Sequence, residues 1–138
     1  MDKILIEQKL ESLRRCIVRV IDKTPEQQEI LAKDVDLQDV IVLNISRAVQ
    51  LCVDIASHLV AQSNERAPAT MGESFSILAK LKIIDDDTAL KLRKTVGFRN
   101  LAVHNYDEIN WAIVYSICKK DLPVFQSFAK MVMQYCRL

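Results

Sequence analysis

Between residues 2 and 22, Ile6, Leu10, Leu13, Ile17, Val20 and Ile21 recur at steps of three and four, while Lys9, Arg15 and Arg19 fall between them. That is the period of an amphipathic helix whose apolar stripe needs a covering neighbour. Thr24-Pro25-Glu26-Gln27 then offers an N-cap, a proline for the first helical position and a capping-box partner, which predicts a short helical turn toward Lys33. Asp36 reads as the next cap, with Asp39 in the first turn of a helix reaching about Gln62. Val40, Ile41, Leu43, Ile45, Ala48, Val49, Leu51, Cys52, Ile55, Ala56, Leu59 and Val60 surround most of that helix, so it is central or shared between subunits. Its polar residues gather in one stripe: Asn44, Arg47, Asp54, His58 and Gln62.

Residues 62–69 are polar, contain Pro68 and read as the one substantial loop. Thr70 and Glu73 form a capping-box signal for a further helix through Phe75, Leu78 and Leu81, expected to end near Ile84. Asp85-Asp86-Asp87 caps the next, on which Ala89, Leu92, Val96 and Val103 form one stripe. From Glu108 to Leu138 the pattern is again helical, with a break around Lys120–Pro123. The expectation is an all-α bundle of about five helices.

Composition supports that expectation. Two glycines and three prolines in 138 residues are too few for the turns of a sandwich or barrel, and the length fits a single domain over 1–138. A net charge of +1 excludes a broad electrostatic footprint for duplex nucleic acid but leaves room for a local basic site. Cys16, Cys52, Cys118 and Cys136 lack metal-ligand spacing and are expected to be buried thiols in a reducing cytosol. The N-terminal residues mix acids and bases, unlike a secretion signal, and no uninterrupted apolar run approaches the ~20 residues that span a bilayer. A cytoplasmic protein without membrane contact is expected.

Candidate chemistry concentrates in Arg99-Asn100-Leu101-Ala102-Val103-His104-Asn105-Tyr106. A guanidinium grips phosphate with two parallel donors, and an imidazole takes and gives a proton near neutrality. RNA carries its own nucleophile, the 2′-hydroxyl, so cleaving it requires proton transfer and charge stabilisation but no metal or other cofactor. Five residues of straight helix turn through about 500°, which leaves Arg99 and His104 about 140° apart. Either the helix loosens before His104, or a second subunit completes the site through two-fold symmetry. Gly97 would permit the close helix approach that such a dimer needs.

The segment RNLAVHNY resembles the Arg-x4-His-x-Tyr motif of the HepT toxins, a branch of the HEPN superfamily. DVDLQDVIVLNISRAVQLCVDIASHL is likewise similar to that family's long second helix, and the helix order agrees over nearly the whole chain. The resemblance implies a HEPN-type homodimer acting as a metal-independent endoribonuclease, the toxin of a type II toxin–antitoxin system. Arg99 and His104 would be its catalytic pair, Asn100 and Asn105 supporting residues, and Tyr106 the target of AMPylation by an MntA-like nucleotidyltransferase antitoxin. Arg47, Asp54 and His58 are candidates for a site wall, against the plainer reading of a solvated face. The alternative function is a non-catalytic helical module that binds nucleotide or docks a nucleotidyltransferase.

Overall fold

The computed structural model describes residues 1–138, all of it helix and connecting turns. The elements are α1 (Lys3–Lys23), α2 (Gln28–Lys33), α3 (Val35–Ala61), α4 (Met71–Lys80), α5 (Asp86–His104), a 3-10 turn Tyr106–Glu108, α6 (Trp111–Ser116), a π turn Ile117–Asp121 and α7 (Leu122–Cys136). Because the π turn joins α6 to α7 without a loop, the chain forms six rods where about five were expected. The extra one is α2, a full element but only six residues long, too short for a period to show.

Helix α3 is the axis of the bundle, packed against α1, α2, α4, α5 and α7. Its Ile41, Ile45, Ala48, Val49, Cys52, Ile55 and Ala56 are wholly buried. Each large aliphatic side chain removed from water in this way stabilises the fold by about 1.5–3 kcal/mol. By length and hydropathy alone α3 could cross a membrane, but most of its apolar side chains are buried against the neighbouring helices. Helix α1 lies antiparallel on it: Lys9 pairs with Asp54 at 3.5 Å, and the Asp2 N–H donates to His58 at 3.3 Å. At the other side Phe75 of α4 meets Phe128 of α7 edge to face, with centroids 6.0 Å apart. All four cysteines are free and buried.

Three cap assignments differ from the expectation. Thr24 ends α1 instead of opening α2, its hydroxyl donating to the Val20 carbonyl at 2.6 Å. Asp34, not Asp36, caps α3 by accepting the Leu37 N–H at 3.1 Å, which moves Asp36 into the first turn. Helix α4 stops at Lys80 because Lys82 adopts a left-handed φ of 61°. The Lys82 and Ile83 N–H groups then turn back to the carbonyls of Ala79 and Leu78, at 3.0 and 2.9 Å. The capping signals at Thr70 and Asp85 are realised: the Glu73 N–H reaches Thr70 Oγ1 at 3.2 Å and the Thr88 N–H reaches Asp85 Oδ1 at 2.8 Å. The break expected at Lys120–Pro123 takes the form of the π turn, which absorbs the hydrogen bond that Pro123 cannot donate.

Candidate active site

Helix α5 carries the motif, and its direction is fixed at both ends. Hydrogen bonds from the Thr88 side chain and backbone hold the Asp85 carboxyl below the usual carboxylate range, so a charge stands at the positive end of the helix. Leu92 and Val96 are buried against the bundle. The helix stays α-helical through His104, where the Asn105 N–H closes it on the Leu101 carbonyl at 2.8 Å. Ile109 is buried just beyond, and Asn110 caps α6 by accepting from the N–H groups of Ala112 and Ile113. The 3-10 turn bearing Tyr106 is thus suspended between two anchored points.

Arg99 is half-buried on the α4 side of α5. Its Nη1 donates to Asn100 Oδ1 at 3.1 Å and lies 3.9 Å from the sulfur of Met71. No carboxylate lies within ion-pair distance of it, so its charge is free to receive an anion. His104 and Asn105 are exposed on the other side of the helix. Because α5 does not loosen before His104, the first of the two arrangements left open by the spacing is not adopted. Within one chain the guanidinium and the imidazole point different ways.

Tyr106 keeps 37% of its surface exposed, stacks edge-on to Trp111 at 6.1 Å and donates from its hydroxyl to Asp39 Oδ1 at 2.7 Å. Burial first, and the Asp39 hydrogen bond and charge second, push the phenol above its ordinary range. At neutral pH it is therefore a protonated donor. Asp39 is a site residue that the sequence reading placed only as a helix-end charge. It lies 67 residues from its partner, and nothing short of the packing of α3 on α5 reveals the pair.

The polar stripe of α3 turns toward α1. Asp54 accepts from Gln50 at 2.8 Å and pairs with Lys9, and His58 accepts from the Asp2 backbone, so the two do not bond to each other. Arg47 is exposed beside α1. No hydrogen bond or ion pair joins Arg47, Asp54 or His58 to the motif. Asn44 is buried, donates to the Val40 carbonyl at 2.8 Å and leaves its Oδ1 without a partner. A cavity of about 540 Å³ flanks the other side of α5, lined by Lys94, Gly97 and Leu101 and by Ile113 and Lys120 across from them.

The family described as "Ribonuclease HepT-like" matches residues 6–132. The mRNA nuclease HepT of Shewanella oneidensis is 33% identical over 132 residues, covering 96% of this chain and 98% of that protein. The tRNA nuclease HepT of Aphanizomenon flos-aquae is 26% identical over 86 residues, 62% of this chain and 58% of that one. Among solved structures, the tri-AMPylated Shewanella oneidensis HEPN toxin in complex with MNT antitoxin superposes with a TM-score of 0.89. The two are 33% identical, and the match covers 97% of this chain and 99% of that one. The cytosolic protein YutE of Bacillus subtilis, 16% identical with a TM-score of 0.86 over 99% of this chain and 92% of its own, shares the fold.

Proposed function

Since the chain belongs to the HepT-like ribonuclease family, we propose that it is a metal-independent endoribonuclease toxin, active as a homodimer and silenced by AMPylation of Tyr106. The observation that carries this reading is an unpaired guanidinium at Arg99 on a helix too straight to bring His104 to the same phosphate. Two copies of α5 related by a two-fold axis supply what one lacks: a pair of imidazoles flanked by a pair of guanidiniums. One His104 takes the proton of the 2′-hydroxyl as O2′ bonds to phosphorus. The other protonates O5′ as the P–O5′ bond breaks, leaving a 2′,3′-cyclic phosphate and a 5′-hydroxyl. Arg99, oriented by Asn100, stabilises the charge on the crowded phosphate. Asn105, exposed beside His104, is placed to position the strand.

The phenol of Tyr106 is accessible, and a nucleotidyltransferase antitoxin of the MntA kind would join its oxygen to the α-phosphorus of ATP with release of pyrophosphate. The product has no hydroxyl to donate to Asp39 and sets a phosphodiester charge against that carboxylate. The adenylate would therefore loosen the 3-10 turn from α3 and set a negative charge within the motif against an incoming phosphate.

Expression of the wild type, Arg99→Ala and His104→Ala with RNA end-mapping tests the reading, together with cleavage in chelator by purified protein. The wild type should cut without metal and leave cyclic phosphate ends. His104→Ala should be slower by about 10²–10⁴. Intact RNA with the wild type would leave only a nucleotide-binding or docking role, and unchanged rates in both variants would remove Arg99 and His104 from the reaction.

A further inference from the structure

Away from the motif, a cleft of about 370 Å³ lies between α1 and α3, and three arginines converge on it: Arg15 and Arg19 from α1 and Arg47 from α3. The Cys16 thiol on its floor registers all three. Burial raises the thiol above its ordinary range, while Arg47, then Arg19 and Arg15, pull it the other way. Acids nearby do not neutralise the group. Glu11 binds Arg14 at 2.7 Å and reaches Arg15 only at 3.8 Å, Asp54 is held by Lys9 and Gln50, and neither Arg19 nor Arg47 has a carboxylate within 4.0 Å. In a chain whose net charge is +1, three adjacent cations with two unpaired are a local departure from balance.

We infer that this cleft holds the phosphodiester backbone of the RNA strand whose scissile phosphate sits at the motif. The inference rests on the nuclease reading and adds to it where the rest of the strand runs. Asp39, which holds Tyr106, lies eight residues before Arg47 on α3. That is about 12 Å along the axis and about 80° beyond two full turns, so both stand on one side of the helix. Exposed Leu43 lies between them. A single strand leaving the motif along this side meets the arginines within a few nucleotides. Arg15 and Arg19 are one helical turn apart, a spacing of the order of that between successive phosphates, and a guanidinium suits phosphate oxygens in pairs. A docked protein would instead need apolar anchors, and of the eight residues lining the cleft only Cys16 and Leu51 are apolar, beside Ser12, Gln50, Asp54 and the three arginines. Sequence-independent backbone contact is also what a cleft without an aromatic stacking platform can supply.

The test uses His104→Ala protein made without antitoxin, so that RNA stays intact and Tyr106 unmodified. Binding is measured for labelled oligonucleotides of two and of about eight nucleotides across a salt series. The longer one should bind at least about tenfold tighter, and Arg15→Gln, Arg19→Gln and Arg47→Gln together should abolish that gain. They should also flatten the slope of log Kd against log salt by about 2. All three side chains are exposed, so circular dichroism should show an unchanged fold. Should the triple variant fail to fold, Arg19→Gln and Arg47→Gln singly should each give part of the loss. An undiminished length gain overturns the inference, as does a loss of antitoxin binding with RNA binding intact. Failure of the nuclease reading is seen separately, as absent cleavage by the wild type.

Discussion

The hydrogen bond between Tyr106 and Asp39 lets one carboxylate hold the phenol in position and add to the rise in its pKa that burial begins. A charge-assisted bond at a partly exposed site stabilises by about 1 kcal/mol after allowance for solvent screening. The folded-state pKa of the phenol is raised, so this contribution is fully present below the unfolded value of about 10 and is lost as pH climbs through the higher folded value. Asp39→Asn keeps an acceptor in place but removes the charge. One of the three tyrosines should then ionise at a lower pH, visible as an absorbance step near the alkaline end of a spectrophotometric titration. The same variant should unfold in slightly less denaturant at pH 7. An identical titration curve would show that the carboxylate does not govern the phenol. The candidates Arg99, Asn100, His104, Asn105 and Tyr106 could be singled out in the sequence because they fall within eight chemically dense residues. Asp39 was not, for its meaning comes from a fold contact across 67 residues.

At the scale of elements, helices announced themselves where a stripe of buried residues ran for three turns or more, as in α1, α3 and α7. Boundaries failed where they depend on backbone conformations that leave no residue signature. The stop of α4 is the clearest case. Glycine is the usual marker of a left-handed residue after a helix, yet both glycines of this chain lie inside helices, and Lys82 and Arg137 take the left-handed positions instead. Ile83 and Ile84 beyond the turn are buried, which extended the apparent period past the true end. Lysine in that region carries a steric cost of about 1 kcal/mol that glycine would not. Lys82→Gly should therefore raise the denaturation midpoint by an amount corresponding to about 0.5–1 kcal/mol, in spite of the added freedom of the unfolded chain. A lower midpoint would mean that the lysine side chain contributes more than its backbone costs.

For the whole molecule, the proposed homodimer could not be located from the sequence, because symmetry acts on a surface and not on a motif. Leu90, at 56% exposure, Gly97, Asn100 and His104 lie within about 80° of one another around α5, and all four are exposed, with Gly97 also at the rim of the cavity that faces Ile113 and Lys120. At Gly97 an added Cβ would meet no atom within 4 Å. The glycine therefore answers no need of the single chain, and inside a helix it costs about 1 kcal/mol relative to alanine. In the proposed homodimer, close approach of a second α5 along this side would account for it and would bring the two His104 imidazoles toward the axis. The two effects make opposite predictions for Gly97→Leu. Each protomer should become more resistant to denaturant, while the particle mass in sedimentation equilibrium falls toward the 15.8 kDa of one chain and RNA cleavage is lost. Gly97→Ala, with a smaller side chain, should lie between the two. If Gly97→Leu sediments as the wild type and still cleaves, the two-fold axis passes elsewhere, and the pairing of imidazoles across α5 has to be given up.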